Sequence, residues 1–301
     1  MEFIKPGTHF DFVGKMKIAL TLSAALIVIS ILSVVLHGGL NFGIDFAGGT
    51  VIQIKFSKAA PADAIRKAFA GIDVSDAIIQ EIGANEVIVR TNQSMTKELQ
   101  AKVEGAMAGQ FGAGQFEIRR IEFVGPKVGK DLTNKAILAI IFSWIGMLIY
   151  IAWRFEFRYG LGAIVALIHD TIITIGALSL LNKEFTLTIV AALLTIIGYS
   201  INDTIVVFDR IRENRKKDLK RNLGDIINAS INETLSRTIL TSFTVFLVLL
   251  ALFFLGGPVI HDFAFALLVG VVIGTYSSIF IASPIVLAFE NVHVSKGKRK
   301  K

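Results

Sequence analysis

Six stretches of the chain are almost entirely apolar, and each is long enough to cross a membrane as a helix. A transmembrane helix needs about 20 mostly apolar residues to span the hydrocarbon core of a bilayer. The six runs cover residues 18–36, 136–153, 160–181, 185–208, 239–255 and 263–289. This pattern predicts a polytopic α-helical membrane protein with six transmembrane helices.

The pattern changes between the first and second runs, over residues 38–133. Alternation of apolar and polar residues predicts four strands, at 50–56, 77–82, 86–91 and 115–124. Helical spacing of apolar residues predicts two helices, at 61–70 and 95–108. The resulting order, β-α-β-β-α-β, is that of the ferredoxin-like split βαβ motif. We therefore expect one small α+β domain between the first and second transmembrane helices.

The distribution of charge predicts the topology. The formal net charge is +7, but residues 38–133 carry 11 Lys/Arg and 11 Asp/Glu, so the basic excess lies in short segments beside the apolar runs. By the positive-inside rule these segments are cytoplasmic. The predicted parts are a cytoplasmic N-terminus with the first helix at 1–37, a periplasmic ferredoxin-like domain at 38–133, a five-helix transmembrane region at 134–290 with a basic cytoplasmic loop at 209–236, and a basic cytoplasmic tail at 291–301.

This arrangement describes a multi-pass membrane protein with both termini in the cytoplasm. Charged residues make up only 18% of the chain, against about 25% in soluble domains. The basic segments fit membrane lipids as partners, and we expect no interaction with nucleic acid.

The sequence contains few patterns that carry enzymatic chemistry. Cysteine is absent, which excludes thiolate metal sites. The glycine-rich segment 41–50, NFGIDFAGGT, lacks the GK[ST] ending of a phosphate-binding loop, so we expect tight turns there and in the similar segment 124–132. We expect no enzymatic activity and no bound cofactor or metal, and any work would draw on a partner or on the membrane gradient.

Polar residues inside the spans are the candidate functional groups. A carboxylate within a membrane helix costs about 2.5–3.5 kcal/mol on insertion scales, so an acid in this position indicates a proton or ion pathway. Asp203 lies toward the cytoplasmic half of the fourth span, Asp170 lies near the middle of the third, and Arg237 lies at the cytoplasmic end of the fifth. The supporting polar residues are His169, Ser200, Asn202 and Thr204.

A proton and a guanidinium would compete for Asp203. Burial favours the neutral acid, whereas a nearby arginine favours the carboxylate. Asp203 would therefore alternate between a charged state paired with Arg237 and a protonated, released state. The alternatives remain open: Arg237 as a topology anchor, Asp170 as a structural hydrogen-bonding group with His169 or a neighbouring Ser/Thr, and the hydroxyl groups as contacts between helices.

The segment 223–235 has its apolar residues on one helical face, and it could lie in the membrane interface. The apolar positions are Leu223, Ile226, Ile227, Ile231 and Leu235.

Six motifs in order resemble the SecF family, the six-span membrane subunits of the bacterial Sec protein-export machinery and members of the resistance-nodulation-division (RND) superfamily. They are NFGIDFAGGT at 41–50, VGPKVG at 124–129, ALIHD at 166–170, GYSINDTIVVFDRIREN at 198–214, NETLSRT at 232–238 and GTYSSIFIASPI at 274–285. The resemblance covers almost the whole chain.

The resemblance implies a non-enzymatic auxiliary subunit of the bacterial inner (plasma) membrane. It implies that this subunit acts with SecD and the SecYEG channel, with YajC and YidC as further partners. It implies that the proton gradient drives the outward movement of a translocating preprotein, with sodium as a possible alternative coupling ion. The family's essential acid and arginine fall on Asp203 and Arg237. The alternative functions are a half-size RND-type efflux or lipid transporter, and a passive assembly subunit of a membrane complex.

Overall fold

A computed structural model of the chain describes residues 9–59, 61–74, 77–82 and 85–289. The predicted tail at 291–301 and the first eight residues of the N-terminal segment lie outside these ranges. The chain divides into two compact units, one formed by Met1–Asn41 with Ile137–Lys301 and the other by Phe42–Ala136. Each unit is described by itself.

The smaller unit is an α+β domain built around one antiparallel sheet. Its strands are β1 (Gly49–Phe56), β2 (Ile78–Glu81), β3 (Glu86–Thr91) and β4 (Phe116–Val124). Its helices are α2 (Ile44–Ala47), α3 (Ala62–Ala70) and α4 (Lys97–Phe111). The strand order β2-β3-β1-β4, together with the two helices that connect the strands, is the interleaved β-α-β arrangement of the ferredoxin-like motif.

The core of this domain follows from the alternation along its central strands. Ile52 and Ile54 of β1 are fully buried, and Ile52 lies opposite Val89 of β3. The same face packs on Phe69 of α3 and Met107 of α4. Because side chains of a strand alternate between its two faces, this sheet has one face against helices and one polar face.

The two glycine-rich segments differ from the predicted tight turns. Segment 41–50 contains a short helix, and segment 124–132 contains the start of a long helix. Helix α2 occupies a single turn, and Gly49 follows with φ +113°. A Cβ at Gly49 would lie 2.6 Å from the carbonyl oxygen of Thr91, so only glycine fits there. The predicted turn at 124–132 is wrong, because α5 (Pro126–Arg154) already begins at Pro126. Proline is well suited to the first turn of a helix.

The larger unit contains the long apolar helices, and the predicted six spans are confirmed. Together with α5 these are α1 (Phe12–Leu36), α6 (Phe157–Leu180), α7 (Leu187–Lys217), α8 (Leu223–Leu255) and α9 (Pro258–Ser277). The last span continues through a π-helical turn at Ser278–Ala282 and further helix to residue 289. All six are long and apolar enough to cross a membrane, the sixth as Ile260–Phe289.

Helices α6, α7 and α9 form the interior of this unit, and small residues let two of them approach closely. A Cβ added to Gly274 of α9 would lie 2.9 Å from the Cβ of Ser200 on α7. Small residues at such positions allow backbones to pack closely where the surrounding lipid gives no hydrophobic driving force. The contact brings polar side chains of α6, α7 and α9 to the same depth.

The predicted interfacial segment at 223–235 is part of α8 and does not form a separate surface helix. Its apolar face, with Ile227 and Ile231 fully buried, packs in the same hydrophobic core as Phe208 and Ile211 of α7. Protein therefore covers the face that was expected to meet lipid. Helices also occupy most of the region 209–236, since only residues 218–222 lie between α7 and α8.

Candidate functional site

Two carboxylates, Asp170 and Asp203, are buried among the residues that the structure describes. Asp170 on α6 is 1% exposed and Asp203 on α7 is 3% exposed. Their surroundings differ in the number and the length of the hydrogen bonds that each carboxyl group makes.

Asp170 is held by donors from its own helix and from two others. Its Oδ2 accepts hydrogen bonds from Ser200 Oγ of α7 at 2.6 Å and from Ser277 Oγ of α9 at 2.8 Å. His169 Nδ1 lies 2.9 Å from Oδ1. Hydrogen bonds from hydroxyl groups to ionised carboxylates are typically about 2.5–2.7 Å long. The geometry is therefore that of a carboxyl group with several close partners, which joins α6, α7 and α9.

This network extends to the first span through a tyrosine. The Tyr276 ring of α9 is nearly parallel to the His169 ring, with centroids 6.2 Å apart. Tyr276 Oη donates to the carbonyl oxygen of Ala19 on α1 at 2.6 Å and lies 3.0 Å from Ser23 Oγ. Within the described part of the chain, the buried Nε2 of His169 has no hydrogen-bond partner. Side chains around Asp170 therefore contact four of the six spans.

Asp203 has a much weaker set of contacts, all through hydroxyl groups. Its Oδ2 lies 3.3 Å from Ser242 Oγ of α8. Ser242 Oγ lies 2.6 Å from Thr275 Oγ1 of α9 and accepts a hydrogen bond from Tyr199 Oη at 3.2 Å. Thr275 Oγ1 donates to the carbonyl oxygen of Val271 at 2.8 Å. A carboxylate can accept about four hydrogen bonds, so a charged Asp203 would be poorly satisfied here.

The predicted pairing of Asp203 with Arg237 is not formed in this structure. Arg237 lies on the exposed side of α8, and among the described residues its side chain makes no hydrogen bond and no ion pair within 4.0 Å. It is still near enough to interact with Asp203 electrostatically. A long arginine side chain near the end of a span readily extends toward the interface, which accounts for the separation. The gating role of Arg237 stays a prediction.

The other predicted residues are divided between different surroundings. Ser200 and His169 contact Asp170, as described above. Thr204 is buried and its hydroxyl donates to the carbonyl oxygen of Ser200 at 3.3 Å, a bond within α7. Asn202 is exposed, because its position on α7 faces away from the buried side that holds Asp203. The structure thus brings neither Asn202 nor Thr204 into contact with either carboxyl group.

Sequence reasoning missed three residues at Asp203, namely Ser242, Thr275 and Tyr199. Hydroxyl side chains in membrane helices usually serve as contacts between helices, so single ones attract no attention. One signal was available for α8, where Thr234, Thr238 and Ser242 recur every four residues. All three are buried, and they define the inward face of that helix. No cluster of three or more His, Asp or Glu side chains suited to a metal ion occurs among the described residues.

The fold and the site define a class of membrane protein. Its members have six membrane-spanning helices with buried carboxyl groups, and a ferredoxin-like domain inserted after the first span. The family can be identified from sequence profiles. Residues 103–292 match the family described as "Protein export membrane protein SecD/SecF, C-terminal", and residues 34–60 match the "SecD/SecF GG Motif". The chain therefore belongs to the SecD/SecF family.

Curated relatives match over almost their whole length. The chain is 50% identical to the protein translocase subunit SecF of Magnetococcus marinus over 299 residues, covering 96% of this chain and 95% of the relative. It is 48% identical to the protein of the same name from Calditerrivibrio nitroreducens over 298 residues, covering 97% and 98%. The similarity therefore includes the insert as well as the membrane helices.

A solved structure shows the same fold. The crystal structure of SecDF, a translocon-associated membrane protein from Thermus thermophilus, superposes with a TM-score of 0.83 at 38% identity and covers 95% of this chain. A second structure, SecDF in a super-membrane-facing form, gives a TM-score of 0.72 at 37% identity. This chain spans only 39% and 41% of those two SecDF chains.

Proposed function

We propose that this protein is a SecF-type auxiliary subunit of the Sec translocase, acting with a SecD-type partner to couple the proton gradient to protein export. Two near-full-length relatives are named as translocase subunits, and the solved relatives carry the combined name SecDF. This chain matches about two fifths of SecDF, and a SecD-type partner would correspond to the remaining part.

The observation that carries the proton role is the environment of Asp203. This carboxyl group is 3% exposed at a junction of α7, α8 and α9, and its one hydrogen-bond contact with the residues that the structure describes is 3.3 Å long. A neutral acid needs fewer partners than a carboxylate in an apolar region, so these surroundings favour binding of a proton. Asp170, with two close hydroxyl donors and His169 Nδ1 at 2.9 Å, resembles a member of a structural network, and its proton-coupling role stays a prediction.

The membrane potential limits the energy that is available for such coupling. Moving one elementary charge through the membrane potential releases about 2.3 kcal/mol per 100 mV. Arg237 would supply the second state by approaching Asp203 when the acid is charged, because the two groups already interact electrostatically without an ion pair. Closing that distance requires α8 or its arginine side chain to move relative to α7.

The wider setting is part of the same proposal. Both termini are cytoplasmic and the ferredoxin-like insert lies in the periplasm, where it would meet the emerging preprotein. The remaining partners are the SecYEG channel, YajC, YidC and membrane lipids, and the subunit's own role is mechanical, without catalysis. Protons are the proposed coupling ion, and sodium is the alternative.

Asp203→Asn tests the proton role, because the amide keeps the shape of the acid but binds no proton. The variant is co-expressed with the SecD-type partner, and export is measured across an imposed pH gradient at two sodium concentrations. We expect normal insertion and co-purification, with loss of the gradient-stimulated part of export. Sodium-dependent stimulation at a fixed pH gradient would identify sodium as the coupling ion.

Asp209→Asn is the matched control. Asp209 lies on the same helix but is exposed, 3.6 Å from Arg154, so its loss removes a surface ion pair of small energy. Gradient stimulation should persist in this variant. Full stimulation in Asp203→Asn as well would favour a passive assembly subunit and contradict the proposed coupling.

A further inference from the structure

Building on the proposed proton role of Asp203, we propose that Ser242 and Thr275 are positioning residues that form a reversible chain of hydroxyl groups. This chain links the protonation of Asp203 on α7 to the backbone of α9, through α8. The contacts are Asp203 Oδ2 to Ser242 Oγ at 3.3 Å, Ser242 Oγ to Thr275 Oγ1 at 2.6 Å, and Thr275 Oγ1 to the Val271 carbonyl oxygen at 2.8 Å.

The number of hydrogens decides which of these contacts can be hydrogen bonds at one time. A serine or threonine hydroxyl has one hydrogen to donate and two lone pairs to accept with. The 2.6 Å contact between Ser242 and Thr275 must contain one hydrogen, supplied by one of the two hydroxyls. The direction of that single bond sets the direction of the whole chain.

A protonated Asp203 completes the chain in one direction. In this state the acid would donate to Ser242 Oγ across the 3.3 Å contact, Ser242 would donate to Thr275 Oγ1 across the 2.6 Å contact, and Thr275 would keep its bond to the carbonyl oxygen of Val271. Tyr199 Oη fills the second lone pair of Ser242. Every hydrogen has an acceptor, and Ser242 uses its full capacity of one donated and two accepted bonds.

A charged Asp203 reverses the chain. The carboxylate has no hydrogen, so Ser242 must donate to it, and Thr275 must then donate to Ser242 instead of to Val271. Ser242 is again fully satisfied, because it accepts from Thr275 and Tyr199. The Val271 carbonyl oxygen loses its hydroxyl donor, so the charge on α7 changes hydrogen bonding within α9.

One bond in this structure belongs to the protonated direction, namely the 2.8 Å bond from Thr275 Oγ1 to the Val271 carbonyl oxygen. A serine hydroxyl that donates to a carboxylate typically lies about 2.5–2.7 Å from it, as Ser200 does from Asp170 at 2.6 Å. The Ser242–Asp203 contact is 3.3 Å, whereas the Thr275–Val271 bond is a normal 2.8 Å. A full hydrogen bond between Ser242 and Asp203, in either direction, would require this contact to shorten from 3.3 Å to about 2.5–3.0 Å.

Within the described ranges, two other ionisable groups act on Asp203. Tyr199 of α7 and Arg237 of α8 interact with it electrostatically, and Arg237 makes no ion pair with it. Approach of Arg237 would favour the same charged state that reverses the hydroxyl chain. The two changes on α8 would therefore occur together.

Infrared difference spectroscopy of the full chain with its SecD-type partner in lipid bilayers tests this inference. The carbonyl band of a protonated Asp203 is identified as the band that Asp203→Asn removes. Thr275→Val keeps the shape of the side chain but removes its hydroxyl, which frees the Ser242 hydrogen to donate to Asp203 permanently. We expect the band to lose intensity at a fixed pH in Thr275→Val and to regain it in Thr275→Ser.

Two further variants distinguish a change in the Asp203 band from a general loss of structure caused by substitution. Ser242→Ala removes the acceptor of the acid's hydrogen, so the Asp203 band should shift in position. Thr195→Val is the matched control, because Thr195 on α7 makes the same backbone bond, to Ala191 at 2.8 Å, with no second hydroxyl contact in the described part of the chain. Its spectrum should match that of the parent protein.

Each result has a distinct meaning. A band that is present but unchanged in both Thr275→Val and Ser242→Ala overturns the hydroxyl chain and leaves the proton role of Asp203 standing. The absence of any Asp203 band across the accessible pH range overturns the proton role itself, and the hydroxyl chain with it. Selective loss in Thr275→Val with recovery in Thr275→Ser supports both.

Discussion

Removing the Ser277 hydroxyl should weaken the contact between α9 and α6 by a predictable amount. Ser277 is fully buried, and its Oγ donates to Asp170 Oδ2 at 2.8 Å. Ser277→Ala deletes this bond and leaves the Ser200 bond to the same oxygen in place. Alanine leaves little empty volume, so the lost hydrogen bond dominates the change in the free energy of unfolding.

Two general magnitudes limit the expected loss. Hydrogen bonds to charged groups contribute about 1.5–3 kcal/mol in soluble proteins. Side-chain hydrogen bonds between membrane helices average about 0.6 kcal/mol, with a maximum of about 1.7. The Ser277 bond is fully buried and directed at a carboxylate, so it belongs where the two ranges meet, at about 1.5 kcal/mol.

The loss can be measured by equilibrium unfolding of the purified protein in mixed detergent and SDS micelles. Ser278→Ala is the matched control. Ser278 is the next residue along the chain and equally buried, but its hydroxyl donates only to the Thr275 carbonyl oxygen of its own helix at 2.9 Å. Such a bond contributes little to helix packing, so the control should lose much less stability.

The double variant Ser200→Ala with Ser277→Ala gives a sharper result. It leaves Asp170 Oδ2 without a hydroxyl donor, so its loss should exceed the sum of the two single losses. If Ser277→Ala and Ser278→Ala lose the same stability, and the double variant is merely additive, then Asp170 is not held as a charged acceptor between helices.

Two further predictions concern the packing of α7 against α9 and the independent folding of the insert. Gly274→Ala should destabilise the membrane unit by about 1–3 kcal/mol, because the new Cβ would lie 2.9 Å from the Ser200 side chain. Gly198→Ala on α7, where a Cβ meets nothing within 4 Å, should be neutral or stabilising by up to about 1 kcal/mol in the same unfolding assay. The insert alone, residues 41–129, should fold as a soluble α+β domain, and a circular dichroism spectrum without helix or strand signals would contradict this.

The spacing of apolar residues was sufficient to predict the long helices and the strand β1. A helix or strand that buries one face repeats its apolar residues at the period of that element. The six runs appear as long helices, and the strand at 50–56 appears as β1 with one residue added. The errors occurred at the ends of helices. The segment 124–132 contains glycine and proline, which suggest a turn, yet proline at the first position of α5 is compatible with a helix.

The candidate site was partly predictable. Asp170 and Asp203 were visible because a carboxylate inside an apolar run is rare, whatever the surrounding fold. Ser242 and Thr275 could not be distinguished from other hydroxyl residues. The contact of Ser242 with Asp203, and that of Thr275 with Ser242, depend on how three helices are rotated about their axes. The same rotation left Asn202 exposed, although it is adjacent to Asp203 in the sequence.

The sequence by itself determined which segments enter the membrane, the order of strands and helices in the insert, and the presence of two acids at membrane depth. These properties depend on composition and on spacing within one element. Only the tertiary structure decided that, among the described residues, Asp170 has three close polar partners while Asp203 has one distant hydroxyl. Hydrogen bonds form over about 3 Å, and the donors and acceptors here lie on helices far apart in sequence, so helix packing sets the chemistry of each acid.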